Sequence, residues 1–130
     1  MKLKTLLIIK ALVCLCFGVP ILFVPDFVYS IFGISLAAGG AFAAREYGAS
    51  MIGNLMLTWF ARNSKESEAR WAIILALFVY DAIGFIVSLI AVLAGTVNSL
   101  GWLVVVLYLL LALGFGYFLI PKKEAIPEKG

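Results

Sequence analysis

Asp81 is an acidic residue near the middle of a long apolar stretch, and no charge follows it between residues 82 and 121. Eleven residues separate it from Arg70, which is about 16 Å along a helix, close to a bilayer midplane. A carboxylate at that depth is costly, so it must face a helix bundle and find a partner or bind a proton. Arg45 and Glu46 supply the expected partner group. If Arg62 marks a membrane surface, Arg45 lies about 25 Å further along its helix, within reach of Asp81. Glu46, Ser50, Gly53 and Asn54 continue as a polar and small stripe. Arg45, Glu46, Asn54, Tyr80 and Asp81 are therefore the candidate polar cluster, with the Tyr108 hydroxyl a further contributor. Two readings stand side by side: a structural ion pair that fixes helix register, or a site for a lipid, quinone, proton or other small ligand.

The remaining reactive groups have simpler expectations. Lys10 lies about one turn into an apolar run and is expected to snorkel to the membrane surface. Cys14 and Cys16 point to nearly opposite faces of a helix and cannot bond each other. They read as small apolar filler. The chain has no histidine, which excludes histidine-ligated haem or metal and the commonest general base. No nucleophile–base pair, phosphate loop or carboxylate-rich metal cluster is visible. No catalytic residue, metal ligand or cofactor is therefore expected; a bound lipid or quinone needs only an apolar slot and one or two donors.

The elements that must position these groups follow from composition. Of 130 residues, 65% are hydrophobic and 13% charged, with a mean hydropathy of +1.14. Soluble domains sit near 45–50% apolar and about 25% charged. A chain this small cannot hide so much apolar surface from water. Continuous apolar runs, without strand alternation, exclude a β-barrel. The pattern predicts an all-α, polytopic membrane protein: one bundle of four transmembrane helices at about 6–24, 42–61, 69–94 and 100–120. A short interfacial helix is expected between the first two spans, with Asp26 as its N-cap. The turn 95–101 separates the last two spans, and Asn98 or Ser99 is expected to cap the fourth. Residues 121–130 read as a mobile polar tail.

Charge then sets orientation. With four spans, Lys2, Lys4, Lys10, Arg62, Lys65, Arg70, Lys122, Lys123 and Lys129 share one side, and Arg45 alone lies toward the other. This places both termini in the cytoplasm of a cell whose inner membrane holds the protein. Trp59, Phe60, Trp71, Tyr117 and Phe118 form the expected inner aromatic belt, and Trp102, Tyr29 and Phe32 the outer one. The net charge of +3 is a topology signal and calls for no nucleic acid. The N-terminus imitates a signal peptide, yet Lys10 interrupts its apolar run and no small-residue cleavage site follows. An uncleaved first span is expected.

Pro25-Asp26-Phe27 follows the first span, Ala44-Arg45-Glu46-Tyr47-Gly48-Ala49 opens the second, Trp59-Phe60-Ala61-Arg62-Asn63 closes it, and Asn98-Ser99-Leu100-Gly101-Trp102 opens the fourth. In this order the chain resembles small bacterial four-helix membrane proteins of unknown function, broadly DoxX-like. The resemblance implies a four-helix bundle with a polar spot around Arg45 and no established reaction. Some relatives are associated with quinone-linked or thiol-redox membrane complexes; cysteines at mid-membrane do not support a thiol-redox role here. The leading functional expectation is a non-enzymatic accessory or structural subunit that packs against other membrane subunits or copies of itself. Small-residue stripes at Gly84-Ser88-Ala91-Gly95 and Tyr108-Ala112-Gly116 motivate it. The alternative is a lipid, quinone, proton or small-ligand site at Arg45, Glu46 and Asp81.

Overall fold

The computed structural model describes residues 2–120. The polar tail expected at 121–130 lies outside the described residues. The described chain is all-helical: α1 (Leu3–Phe23), α2 (Pro25–Ile31), α3 (Ala38–Ala61), α4 (Glu68–Leu93) and α5 (Gly101–Leu119). Three of these, α1, α4 and α5, are long and apolar enough to cross a membrane. The expected span at 42–61 falls in α3, which has 24 residues but is interrupted by Arg45, Glu46 and Asn54. It does not reach the same apolar standard, so length and composition yield three candidate spans where four were expected.

The helices pair. α1 and α3 run antiparallel: Gly48 of α3 packs beside Leu22 of α1, while at the other end Ala61 joins Leu3, Leu6 and Leu7 in one cluster. α4 and α5 also run antiparallel, with Val92 against Gly101 at one end and Phe78 against Gly116 at the other. The pairs meet at the Ala61 end, where Leu6, Leu7, Ile74, Leu77, Leu111 and Phe115 form a dry core. Glycine permits the closest crossing. A Cβ on Gly48 would sit 2.8 Å from the Leu22 backbone nitrogen. No apolar driving force separates lipid from side chain, so such backbone approach is a main source of helix affinity. The small stripe expected on the second span is displaced: Gly48 makes the crossing, whereas Gly53 faces open space.

Local chemistry sets the helix ends. Pro25 occupies the first turn of α2, where its missing N–H costs nothing, and Asp26 lies in the same turn, favourable to the helix dipole. Asp26 is therefore not the N-cap; Val24 holds that place, with no side-chain cap bond. Ser67 caps α4 by accepting from the Arg70 N–H at 3.2 Å. Arg62, at the C-cap of α3, stacks on Trp59 at 3.7 Å and donates to its carbonyl. Neither Asn98 nor Ser99 occupies the N-cap of α5, which is Leu100. Asn98 has another task. Its side-chain oxygen accepts from the Leu100 N–H at 3.0 Å, its amide donates to the Ile31 carbonyl at 3.0 Å, and its backbone N–H donates to Phe32.

Asn98 thus ties the α4–α5 turn to the end of α2. Asn98→Ala removes both side-chain bonds and keeps the backbone one. Each net hydrogen bond contributes about 1 kcal/mol. The Leu100 amide and the amides around residues 31–34 are expected to exchange about five- to tenfold faster in the variant, measured by hydrogen exchange. Unchanged exchange would show that the tie is idle.

Candidate functional site

Beyond the dry core the two helix pairs diverge and enclose a cavity of about 500 Å³. Its α1 wall runs from Lys10 through Val13 and Phe17 to Ile21, a depth of about 16 Å along that helix. Gly84, Ser88 and Ala91 of α4 and Val104 and Leu107 of α5 form the facing wall. Of the small stripe expected to pack another helix, Gly84 does so, against the Tyr108 ring of α5, whereas Ser88 and Ala91 line the cavity. Val28, Tyr29, Phe32 and Ile34 close the top, joined by Val97 and Gly101. Tyr29 and Phe32 are therefore roof residues. Burial raises the Tyr29 pKa above that of an ordinary phenol, so the roof stays uncharged. Ile83 and Val87 line the cavity and are also 55% and 61% exposed, so it opens beside α4.

The floor is polar. Lys10 of α1 makes a salt bridge to Asp81 of α4, Nζ to Oδ1 at 2.6 Å, with both side chains buried. It is the only salt bridge among the described residues. The Lys10 ammonium also lies 4.6 Å from the centre of the Tyr80 ring. Tyr47 and Tyr108 hydrogen-bond through their hydroxyls. Tyr80 meets the Tyr108 ring edge to face at 6.3 Å. Its hydroxyl is buried beside them without completing a hydrogen bond, and Asp81 Oδ2 is likewise unpartnered. Gly84 makes this arrangement fit, because any Cβ there would overlap the Tyr108 ring.

Two expectations are corrected. Asp81 does find a partner, but it is Lys10 and not Arg45. Arg45 and Glu46 are exposed. The reason is helical phase: Ala44, Gly48 and Met51 carry the buried face of α3, Arg45 falls on its flank and Glu46 on the opposite side. Lys10 does not snorkel. α1 begins at Leu3, which places Lys10 two turns in, on the face shared by Leu3, Leu7, Cys14 and Gly18. Asn54 is half-buried and does not line the cavity; its backbone carbonyl accepts from Thr58. Tyr80 and Tyr108 do join Asp81's neighbourhood. Tyr47 was not among the candidates, although its spacing of three from Ala44 and four from Met51 marks the inner face. Cys14 is buried and Cys16 exposed, both as free thiols.

Fold and floor together define a class: an all-helical protein with three helices of membrane-spanning character and an apolar cavity that ends on a lysine–aspartate pair and three tyrosines. The chain matches no protein-family model, no curated protein and no solved structure.

Proposed function

We propose that the protein is a membrane-embedded binding protein for a small, mostly apolar molecule, which it holds between its two helix pairs. The observation that carries this is the cavity of about 500 Å³ with mostly apolar walls and most of its polar groups, Lys10, Tyr47, Tyr80 and Tyr108, gathered at one end. That volume and that distribution are the usual character of a small-molecule site. The side opening at Ile83 and Val87 would admit such a molecule from lipid.

The binding protein crosses the membrane four times in this reading, as a four-helix bundle with both termini in the cytoplasm of the inner membrane. α3 lies antiparallel to α1 along nearly its whole length, which supports its crossing wherever α1 crosses. The tyrosines of the floor lend neutral polar groups that a bilayer tolerates better than charges. The ion pair serves as the floor's structural base.

Native mass spectrometry of the protein from a mild detergent tests the reading. A stoichiometric small-molecule adduct is expected on the wild type. Ala91→Phe, which projects a ring into the cavity and narrows it, is expected to lose it while circular dichroism stays helical. A wild type that carries no adduct and takes up no added alkyl compound would overturn the proposal.

A second reading is an accessory subunit, as in DoxX-like assemblies. The exposed Arg45–Glu46 pair and the exposed Ala49, Ser50 and Gly53 favour it, because that face of α3 is poorly suited to lipid. Mass measurement in mild detergent tests it: a monomer without partners would count against it.

A further inference from the structure

One face of α3 differs from the exposed faces of α4 and α5. Those carry large aliphatic side chains, among them Ile83, Val87 and Ile90 on α4 and Leu103, Val106 and Leu110 on α5. Between Phe42 and Met56, α3 exposes no large apolar side chain. It exposes Ala43, Arg45, Glu46, Ala49, Ser50 and Gly53. Lys10–Asp81 is the only salt bridge among the described residues, so neither Arg45 nor Glu46 has an ionic partner there. Counted at about 100° per residue, Phe42, Glu46, Ala49, Gly53, Met56 and Phe60 fall within about 40° of one line along α3. That line lies opposite the buried Ala44, Gly48 and Met51. Its residues follow each other at steps of four, three, four, three and four. This is the repeat of about 3.5 residues with which two helices pack side by side.

The charges on this face complement themselves. Arg45 lies to one side of the line and Glu46 to the other, at nearly the same level. A two-fold axis along the membrane normal sets two α3 helices parallel and puts each flank of one against the opposite flank of its copy. Arg45 of each copy then meets Glu46 of the other, twice over. Ala49 and Gly53 follow along the same line and let the backbones close in; a Cβ on Gly53 meets nothing within 4 Å in the single chain. Gly48 packs beside Leu22, near the end of α1, so Arg45 and Glu46 stand at the margin of the apolar layer. Pairing there costs less desolvation than at mid-membrane. We propose that a second copy of this chain docks on this face, α3 parallel to α3, with reciprocal Arg45–Glu46 ion pairs. The proposal rests on α3 crossing the membrane, as in the reading above, and is independent of any ligand in the cavity.

Charge reversal tests the pairing on the full protein, with native mass spectrometry from a mild detergent counting the copies. The wild type is expected to be a dimer. Arg45→Glu and Glu46→Arg each set like charges in contact and are expected to weaken dimerisation roughly tenfold or more. Mixing these two variants restores both opposite-charge contacts, so the mixed dimer, distinguishable by mass, is expected to outnumber either pure one. The double variant Arg45→Glu/Glu46→Arg is expected to dimerise like the wild type. A monomeric wild type would overturn the proposal, as would single reversals that dimerise normally or a mixture that recovers nothing. Ala49→Cys, in a chain whose Cys14 and Cys16 are replaced by alanine, is expected to cross-link to its own copy in phosphatidylcholine vesicles, and Leu110→Cys is not; the reverse result would place the interface elsewhere. Gly39→Cys and Asn63→Cys, near the two ends of α3, are expected to react with an impermeant maleimide from opposite sides of the vesicle. Reaction from one side alone would overturn the crossing and the proposal with it, whereas a monomer labelled from opposite sides would overturn the proposal and leave the crossing intact.

Discussion

Replacing Asp81 with alanine is expected to destabilise the protein by about 3–5 kcal/mol, because Lys10 would be left charged and buried without a partner. Lys10→Met should cost a similar amount, leaving the carboxylate alone. The Lys10→Met/Asp81→Leu double variant is expected to recover most of the loss, since it fills the same space without charge and removes the desolvation of both ions. Reversible unfolding in mixed micelles measures all three. A lone loss of this size lowers the ratio of folded to unfolded protein by on the order of a hundredfold to a thousandfold. Ordinary polar contacts between membrane helices contribute only about 0.6 kcal/mol on average. The two cases are therefore easily separated. Losses that simply add in the double variant would mean that the pair does not act as a pair. The pair also links α1 to α4 where the two helix pairs begin to diverge, so its loss should loosen the cavity floor before it unfolds either pair.

The second large effect concerns the helix crossing. Gly48→Val is expected to cost about 1–3 kcal/mol or more, since its Cβ would lie 2.8 Å from the Leu22 nitrogen and 3.1 Å from the Gly18 carbonyl oxygen. Those neighbours are backbone atoms and cannot turn aside. α1 and α3 must separate to admit the side chain. Gly53→Ala on the same helix is the control: nothing lies within 4 Å of the new Cβ, and removing a glycine from a helix interior should stabilise by roughly 0.5–1 kcal/mol. Detergent unfolding of both variants checks the contrast. Equal effects would place the crossing elsewhere.

Much of the frame was legible in the chain. Continuous apolar runs can bury their backbone polar groups in lipid only as helices, so the helical class and the long helices α1, α4 and α5 followed from composition. The turn at 95–101 and the short helix after Pro25 were also legible, since proline and glycine act locally. Asp81 announced itself as a group needing a partner. α3 was harder, because Arg45 and Glu46 weaken its apolar signal while Gly48 and Tyr47 carry its packing.

The partner of Asp81 was not legible, and the reason is physical. Depth along a helix can be counted from sequence at about 1.5 Å per residue, and that count put Arg45 within reach of Asp81 and Lys10 near the membrane surface. Which of them meets Asp81 depends on the rotation of each helix about its axis and on which helices are neighbours. Those are set by the sum of many packing contacts, above all the Gly18–Gly48 approach that turns Lys10 and Tyr47 inward and leaves Arg45 outside. The sequence alone determined a helical membrane chain with one costly buried carboxylate. Only the tertiary structure decided that a lysine neutralises it, that three tyrosines gather beside it, and that the helices stand apart there far enough to leave a cavity.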